Sequence, residues 1–303
     1  HFELVFLSNS GAEANECLIK TARKWASDTK GEGEHPFVTL VNSFHGRTLT
    51  TVTATGQDTF HKFFGPFTPG FRYVPASDLA ALERQLDAED CSAVLVEIVQ
   101  GEGGVRALDA DYLKAVEALC HEKNVLFCVD EVQTGNGRTG TWFAYEQFGL
   151  SPDLVSTAKG LGNGLPIGAT LMGSKTAEVL TPGTHGSTFG GNPVACAGAL
   201  SVLEQIDDAF LEAVKQKGAW LTAELEKIPG VKDVSGLGLM LGFSVEGCKS
   251  ADIKAKALDN GLVVLTAKDR VRLLPPLAIT EEELSDGLLR LAAAIREVQE
   301  AAH

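Results

Sequence analysis

The sequence predicts an α/β fold with a mostly parallel sheet flanked by helices, followed by a smaller α+β domain. Up to about residue 192, apolar runs rich in β-branched residues alternate with amphipathic stretches, which is typical of parallel strands joined by helices. Several of these runs are apolar on both faces, as strands are when helices cover both sides of their sheet. Beyond that point two helices are followed by short strands interleaved with further helices.

Each predicted strand of the sheet is short and rich in β-branched or aromatic residues. These strands are FELVFL (2–7), FVTLVN (37–42), SAVLVEIV (92–99), VLFCVDEV (125–132), DLVSTA (153–158) and GATLMG (168–173). Helices are predicted where apolar residues recur every three or four positions. They cover residues 77–89, 109–123, 192–205 and 209–227.

Two domains are expected, the larger over residues 1–228 and the smaller over 229–303. In the smaller one, the short strands VKDVSGLGLMLGFSV, LVVLTA and VRLLPP alternate with helices at 250–259 and 280–301.

Charge and cysteine usage exclude several classes of partner. The formal net charge of −14 argues against nucleic acid or an anionic membrane as a partner, and no apolar run is long enough to span a membrane. The six cysteines lie mostly in apolar runs without C-x-x-C pairs, which is typical of reduced thiols. The scattered histidines predict no metal site.

Lys159 is the first candidate for a chemical role. It follows the apolar run 153–158 and precedes Gly160, Gly162 and Gly164. An amine at a strand end among glycines can point into a cleft, where desolvation favours the neutral form that attacks aldehydes. Because a lone lysine is far more often a solvated surface residue, the assignment depends on its neighbours.

Asp130 ends the apolar run VLFCVD, so its carboxylate is expected at the carboxyl end of a buried strand, where open α/β sheets bind ligands. Such a carboxylate can keep the ring nitrogen of a pyridine cofactor protonated. Gln133, three residues on, can reach a ring hydroxyl. Taken alone, Asp130 could equally cap a helix or turn.

A phosphate site is predicted in LSNSGAEANE. Ser10 and Glu13 have the spacing of a capping box ahead of a helix with an apolar face. Gly11 and Ala12 would then lie at the helix N-terminus, whose free N–H groups and positive dipole end bind phosphate. The alternative is a plain cap without a ligand.

Residues 135–140, GNGRTG, match the dinucleotide fingerprint G-x-G-x-x-G and suggest an alternative, a nicotinamide-dependent oxidoreductase. That motif has to join a strand directly to a helix, whereas DEVQT intervenes here. The acidic partner expected about twenty residues on is also missing, since position 160 is glycine. This interpretation is therefore rejected.

Six segments, in order and at consistent spacings, resemble the class III (ornithine-type) aminotransferases, which use pyridoxal phosphate. They are NSGAEANE (9–16), SFHGRT (43–48), EIVQGEGGV (97–105), DEVQTGNGRTG (130–140), AKGLGNGLPIGA (158–169) and HGSTFGGNP (185–193). The resemblance runs through nearly the whole chain. It implies fold type I of the pyridoxal-phosphate enzymes, which is the aspartate-aminotransferase-like fold.

The resemblance also implies roles around the cofactor. Lys159 would bind pyridoxal phosphate covalently and then carry the proton between the substrate carbon and the cofactor. Asp130 would pair with the ring nitrogen and Gln133 would contact the ring hydroxyl. Phe44 would stack on the ring face. The backbone N–H groups that bind the phosphate would be those of Gly11 and Ala12.

Substrate carboxylates would be bound by two arginines, whose planar fork suits bidentate contact. Arg47 matches the family's arginine for the distal carboxylate, and Arg272 matches the one for the α-carboxylate of glutamate or 2-oxoglutarate. Glu102 matches a switch carboxylate that pairs with Arg272 while the amine donor is bound. Thr188, with Ser187 beside it, would reach the phosphate or substrate across a dimer interface, so that a homodimer would share its active sites.

Within the family, FHGRT and VQGEGGV look most like the acetylornithine aminotransferases of arginine biosynthesis. The expected substrates are therefore an acylated ornithine and 2-oxoglutarate. Ornithine, succinylornithine and 4-aminobutyrate aminotransferases share the fold and stay open as alternatives, as does a non-catalytic homologue.

Family members usually carry roughly a hundred residues before the NSG motif, whereas nine residues precede Ser10. We therefore expect an N-terminal segment to be missing from this chain. A cytoplasmic location is expected, although a mitochondrial or plastid form would carry its address in that segment.

Overall fold

A computed structural model describes residues 2–88 and 90–301. Its strands are β1 (Phe2–Ser8), β2 (Phe37–Leu40), β3 (Phe71–Val74), β4 (Ala93–Val96), β5 (Val99–Gln100), β6 (Arg106–Ala107), β7 (Leu126–Asp130), β8 (Leu154–Thr157), β9 (Gly168–Gly173), β10 (Val231–Leu237), β11 (Met240–Val245), β12 (Leu265–Ala267) and β13 (Arg270–Leu273). Its helices are α1 (Gly11–Lys30), α2 (Leu49–Ala54), α3 (Asp58–His61), α4 (Leu79–Ala88), α5 (Ala110–Glu122), α6 (Pro193–Leu203), α7 (Asp208–Leu225), α8 (Ser250–Asp259) and α9 (Glu281–Ala301).

The large sheet has seven strands in the order β1-β9-β8-β7-β4-β2-β3. All pairs from β8 to β3 are parallel, and β9 runs antiparallel to its neighbours β1 and β8. The strands β2, β4, β7 and β8 are buried along their whole length, as in a sheet covered on both faces. The predicted mostly parallel sheet is confirmed.

Helix α1 packs an apolar stripe into the core of this sheet, as its sequence spacing predicts. Cys17, Leu18, Ala22 and Trp25 are buried there. The capping box predicted at its start is only half formed. The Ser10 hydroxyl accepts a hydrogen bond from the Glu13 N–H at 3.2 Å, but the Glu13 carboxylate accepts from the N–H of Asn9, one residue earlier, at 2.5 Å.

The predicted helices all form, each within two residues of the expected bounds. Glu89, the last residue of the predicted helix 77–89, lies outside the described residues. The segment 92–99, however, is not one strand. The backbone leaves the sheet after Val96, and β5 pairs instead with β6 in a separate two-stranded ribbon. Four short elements, β3, β6, α2 and α3, were not predicted, because two to six residues are too few for a clear period.

The chain divides into two compact units. The first comprises His1–Ile98, Leu108–Asn136 and Phe143–Ile206, and the second comprises Val99–Ala107, Gly137–Trp142 and Asp207–His303. The predicted boundary after residue 228 differs from this division. The reason is α7, whose Leu221 and Leu225 are buried in the core of the second unit.

The second unit is built on an antiparallel sheet in the order β10-β11-β13-β12, with α7, α8 and α9 contributing to its core. Among all the helices that the structure describes, none combines the length and apolar character needed to cross a membrane.

Two helix glycines of the second unit give opposite stability predictions. A Cβ on Gly218, in α7, would lie 2.4 Å from the carbonyl oxygen of Gly238, whereas one on Gly287, in α9, would meet only Leu262 Cδ1 at 3.6 Å. Alanine normally stabilises a helix interior by about 0.5–1 kcal/mol relative to glycine. We expect Gly287→Ala to show that gain and Gly218→Ala to lose about 1–3 kcal/mol, because backbone atoms cannot yield as a side chain can. Urea unfolding of both variants tests this, and a gain at Gly218 would contradict the close approach.

Candidate active site

A cavity of about 140 Å³ in the first unit gathers residues from the ends of three parallel strands. Six of its lining residues are predicted cofactor ligands, namely Gly11, Ala12, Phe44, Asp130, Gln133 and Lys159. Asp130 is the last residue of β7, and Lys159 follows the end of β8 by two positions. Since β7 and β8 are parallel neighbours, both side chains emerge at the same edge of the sheet.

The Asp130 carboxylate is held by three donors. Only 4% of the residue is exposed. Its Oδ2 accepts a hydrogen bond from Asn15 Nδ2 at 2.8 Å and lies 2.8 Å from His45 Nδ1. Its Oδ1 accepts from the backbone N–H of Val132 at 2.9 Å. These contacts fix the carboxylate's direction and offset the loss of its hydration.

His45 and Asn15 were not predicted as site residues. The His45 side chain is fully buried, and its proximity to Asp130 makes a hydrogen bond when Nδ1 carries the proton. Asn15 also donates to the carbonyl oxygen of His45 at 2.8 Å, which ties α1 to the segment carrying Phe44. The sequence signal that could have identified His45 is its position directly after Phe44, the residue predicted to stack on the cofactor ring.

Glu97 was also missed. It directly follows β4, whose Val96 pairs with Val129 of β7, so it comes at the same level of the sheet as Asp130, and it is 6% exposed. Its Oε2 accepts a hydrogen bond from the backbone N–H of Phe44 at 2.9 Å. The contact fixes the backbone from which the Phe44 ring projects.

The N-terminus of α1 forms another wall of the cavity. The first intrahelical bond runs from the Ala14 N–H to Ser10 O at 3.0 Å, so the N–H groups of Gly11 and Ala12 remain outside the helix ladder. A Cβ on Gly11 would lie 2.5 Å from Val132 Cγ1, which explains the glycine there. Together with the helix dipole, these N–H groups favour an anion.

Lys159 sits on a strained turn. Its φ is +44°, in the left-handed region that a non-glycine residue adopts at a cost of roughly 1–3 kcal/mol. Asn136 holds the strand end before it, donating to Thr157 Oγ1 at 2.9 Å and to Ala158 O at 3.1 Å. Residues 132–139, which include most of GNGRTG, form consecutive turns and not a strand-to-helix loop, in agreement with the rejection of the dinucleotide motif.

The residues of the cavity fit a phosphorylated pyridine aldehyde. Asp130 offers a fixed carboxylate to a ring nitrogen, and the α1 N-terminus offers N–H groups to a phosphate. Gln133 Oε1 is buried without a hydrogen-bond partner among the described residues, as expected of an acceptor that awaits a hydroxyl. Over the described part of the chain, no group of three or more His, Cys, Asp or Glu residues could hold a metal ion.

Ser187 and Thr188 lie outside this cavity. They line a separate one of about 410 Å³ in the first unit, together with Asn9 and Glu13. Ser187 Oγ accepts hydrogen bonds from Asn9 Nδ2 at 3.1 Å and from the Gly190 N–H at 3.0 Å, while Thr188 is exposed. Their contribution across a dimer interface stays a prediction.

The residues predicted to bind carboxylates lie in both units. Arg47 is exposed in the first unit, with its guanidinium carbon 4.3 Å from the centre of the Phe60 ring. In the second unit, Arg272 Nη1 and Glu102 Oε1 form an ion pair of 2.5 Å, and the arginine side chain is 8% exposed. The pair exists as expected, and its role as a switch stays a prediction.

Comparison with known proteins gives one consistent result. The family described as aminotransferase class-III matches residues 1–295. Acetylornithine aminotransferase of Haemophilus ducreyi is 51% identical over 97% of the chain and 75% of the relative, and that of Bacillus subtilis is 47% identical over 97% and 76%.

Solved structures agree in fold. N-acetylornithine aminotransferase from Stenotrophomonas maltophilia K279a superposes with a TM-score of 0.86 at 38% identity, covering 99% of this chain and 76% of that one. An ornithine aminotransferase from Toxoplasma gondii, described with partial occupancy of PLP at its active site, has a TM-score of 0.92 at 37% identity, covering 99% and 74%.

Glu131, next to Asp130, is fully buried and caps the turn that follows it. Its carboxylate accepts hydrogen bonds from Thr134 Oγ1 at 2.5 Å and from the Tyr145 N–H at 2.9 Å. Burial raises the pKa of Glu131 to about 7, although these hydrogen bonds pull it back. The folded chain therefore binds a proton at this carboxyl more tightly than the unfolded chain does.

A pH-dependent stability follows from this carboxyl. Because the folded pKa of Glu131 is raised from 4.5 to about 7, its contribution is present below about pH 4.5 and is lost as the pH rises through about 7. We expect Glu131→Gln, which keeps the shape, to gain stability relative to the wild type between pH 5 and pH 8. Urea unfolding at both values measures this. Glu146→Gln, which changes an exposed carboxylate in the short 3-10 helix Ala144–Phe148, is the matched control, and equal behaviour of the two variants would contradict the assignment.

Proposed function

The chain belongs to the class-III aminotransferases, and we propose that it moves the terminal amino group of N2-acetylornithine to 2-oxoglutarate with pyridoxal phosphate as its cofactor. The products are N-acetylglutamate 5-semialdehyde and glutamate, as in arginine biosynthesis. The observation that carries the proposal is the convergence of Lys159, Asp130 and Gln133 with the α1 N-terminus on one cavity. The choice of N2-acetylornithine is supported by relatives named acetylornithine aminotransferase at 44–51% identity.

Pyridoxal phosphate, when bound, supplies the aldehyde that condenses with amines and an electron-withdrawing ring that makes the substrate's C–H proton removable. Asp130 stabilises the positive charge on the ring nitrogen on which this electron withdrawal depends. His45 and Asn15 hold the carboxylate in place by the hydrogen bonds described above. Gln133 binds the ring hydroxyl, and Gly11 and Ala12 bind the phosphate.

Lys159 is the residue that handles the proton. Its amine takes the proton from the substrate carbon and returns it on the other side of the transfer. The left-handed turn at Lys159 and the two hydrogen bonds from Asn136 before it hold the start of this side chain in one place. Because the start of the Lys159 side chain is fixed, less conformational entropy is lost when its amine reaches the substrate proton.

The two substrates present different carboxylates to the protein. Arg47 binds the carboxylate distal to the reacting group in both substrates. Arg272 binds the α-carboxylate of 2-oxoglutarate or glutamate, and Glu102 neutralises Arg272 when the aliphatic amine is bound. Without that neutralisation, a buried cation would face an apolar chain.

A homodimer is part of the proposal. Three side chains in and just before α6 are exposed although apolar, Phe189 at 71%, Val194 at 69% and Leu200 at 60%. Exposed apolar side chains are typical of protein interfaces, and Thr188 directly precedes Phe189. Light scattering tests the homodimer, and a single-chain mass would count against it.

We also propose a cytoplasmic location, supported by six free cysteines.

Substrate identity is tested by comparing kcat/KM for four amine donors with 2-oxoglutarate as the acceptor. We expect N2-acetylornithine to exceed ornithine and 4-aminobutyrate by at least tenfold, because both lack the acylated α-amine. Succinylornithine separates the two acyl groups. A preference for free ornithine would overturn the substrate assignment but leave the aminotransferase activity in place.

The ion pair in the second unit predicts an asymmetric effect. Arg272→Ala removes a charge-assisted contact to the α-carboxylate, worth about 2–3 kcal/mol or roughly 30- to 150-fold. We expect that loss in the half-reaction with glutamate or 2-oxoglutarate and little change in the half-reaction with N2-acetylornithine.

Stopped-flow measurement of each half-reaction separately detects the difference. Glu102→Gln is the companion variant, since it leaves Arg272 charged and should keep the dicarboxylate half-reaction. Equal losses in both half-reactions of Arg272→Ala would contradict the switch.

A further inference from the structure

The Arg47 guanidinium lies over two aromatic rings, one in α3 and one in the segment after β2. Its guanidinium carbon lies 4.3 Å from the centre of the Phe60 ring and 5.4 Å from that of Phe44. The two rings pack edge to face, with centres 5.2 Å apart and planes at 70°. The cation therefore rests on an aromatic pair, of which one member, Phe44, lines the cofactor cavity.

The N–H groups of Arg47 remain available. Among the residues that the structure describes, no hydrogen bond or ion pair involves the Arg47 side chain, and the residue is exposed. Stacking uses the face of a guanidinium and leaves its planar edge, which carries the donors that bind a carboxylate in bidentate fashion.

We propose that Phe60 is a positioning residue for substrate recognition, holding the Arg47 guanidinium over its ring so that the N–H edge is presented to a carboxylate. This rests on the proposed function, in which Arg47 binds the distal carboxylate of both substrates. Phe60 itself touches no reacting atom.

The position of Phe60 is well defined by its neighbours. Its N–H donates to the carbonyl oxygen of Gln57 at 3.0 Å. The buried side chain of Gln57 donates in turn to the carbonyl oxygen of Ser43 at 2.9 Å. Since Ser43 precedes Phe44 directly, α3 and the segment carrying Phe44 and Arg47 are joined by hydrogen bonds as well as by the ring contact.

Stacking also reduces the entropy lost on binding. An exposed arginine explores several rotamers, and a carboxylate that captures it has to immobilise the side chain. The Phe60 ring restricts the guanidinium before substrate arrives. Restricting the guanidinium should therefore strengthen the binding of every substrate with a distal carboxylate and leave the binding of amines without one unchanged.

Phe60→Leu, Phe60→Trp and Phe63→Leu test the proposal in the holoenzyme. Phe63 is the matched control, because it lies three residues away and is 96% exposed. We expect Phe60→Leu to raise KM for N2-acetylornithine and for 2-oxoglutarate by roughly three- to tenfold, the range of a cation–π contact, with kcat little changed. Turnover of 1,4-diaminobutane in the amine half-reaction should be unchanged, and Phe60→Trp should behave as the wild type.

Calorimetric titration with glutarate gives a readout independent of turnover. The dissociation constant of this unreactive dicarboxylate should rise with Phe60→Leu and stay constant with Phe63→Leu and Phe60→Trp. Unchanged glutarate affinity in Phe60→Leu, or an equal loss with 1,4-diaminobutane, would overturn the positioning role. If Arg47→Gln also leaves glutarate affinity unchanged, the failure lies in the carboxylate role of Arg47 within the proposed function and not in Phe60 alone.

Discussion

The buried carboxylate of Asp130 is the constraint on which the rest of the site depends. A carboxylate with this little exposure is tolerated only when donors replace its hydration, and here they come from three parts of the chain. Asn15 belongs to α1, His45 to the segment after β2, and Val132 to the turn after β7. The same hydrogen bonds therefore hold together the helix that offers a phosphate site, the aromatic wall and the strand end. A change that weakened this cluster would disturb all three at once.

Each unit carries one of the two arginines that we propose as ligands of substrate carboxylates. The first carries an arginine that is exposed and stacked on rings, and the second carries one that is buried and paired with Glu102. The difference follows from their surroundings. An exposed guanidinium is stabilised by water and by aromatic faces, whereas a buried one requires an acidic partner.

Much of the site could be predicted from the sequence, because parallel strands place their carboxyl ends along one edge. Asp130 and Lys159 were identified from their positions at strand ends, and the resemblance to a family supplied Phe44, Arg47 and Arg272. Asn15 and His45 were missed, since their role depends on α1 crossing near β7, which no local pattern encodes. Glu97 was missed although it follows β4 directly, because the apolar run 92–99 concealed the point where that strand ends. The predicted domain boundary differs from the division into compact units for a similar reason, since the amphipathic pattern of α7 does not indicate which sheet it packs against.

The most direct measurement is reduction of the cofactor-loaded protein with borohydride, followed by peptide mapping. We predict a phosphopyridoxyl group on the peptide that contains Lys159. In an Asp130→Ala protein, which no longer retains the cofactor, that peptide should carry no such group. Labelling of a different lysine, or a loaded protein with no labelled peptide, would contradict the assignment of Lys159 and the role given to the cavity around Asp130.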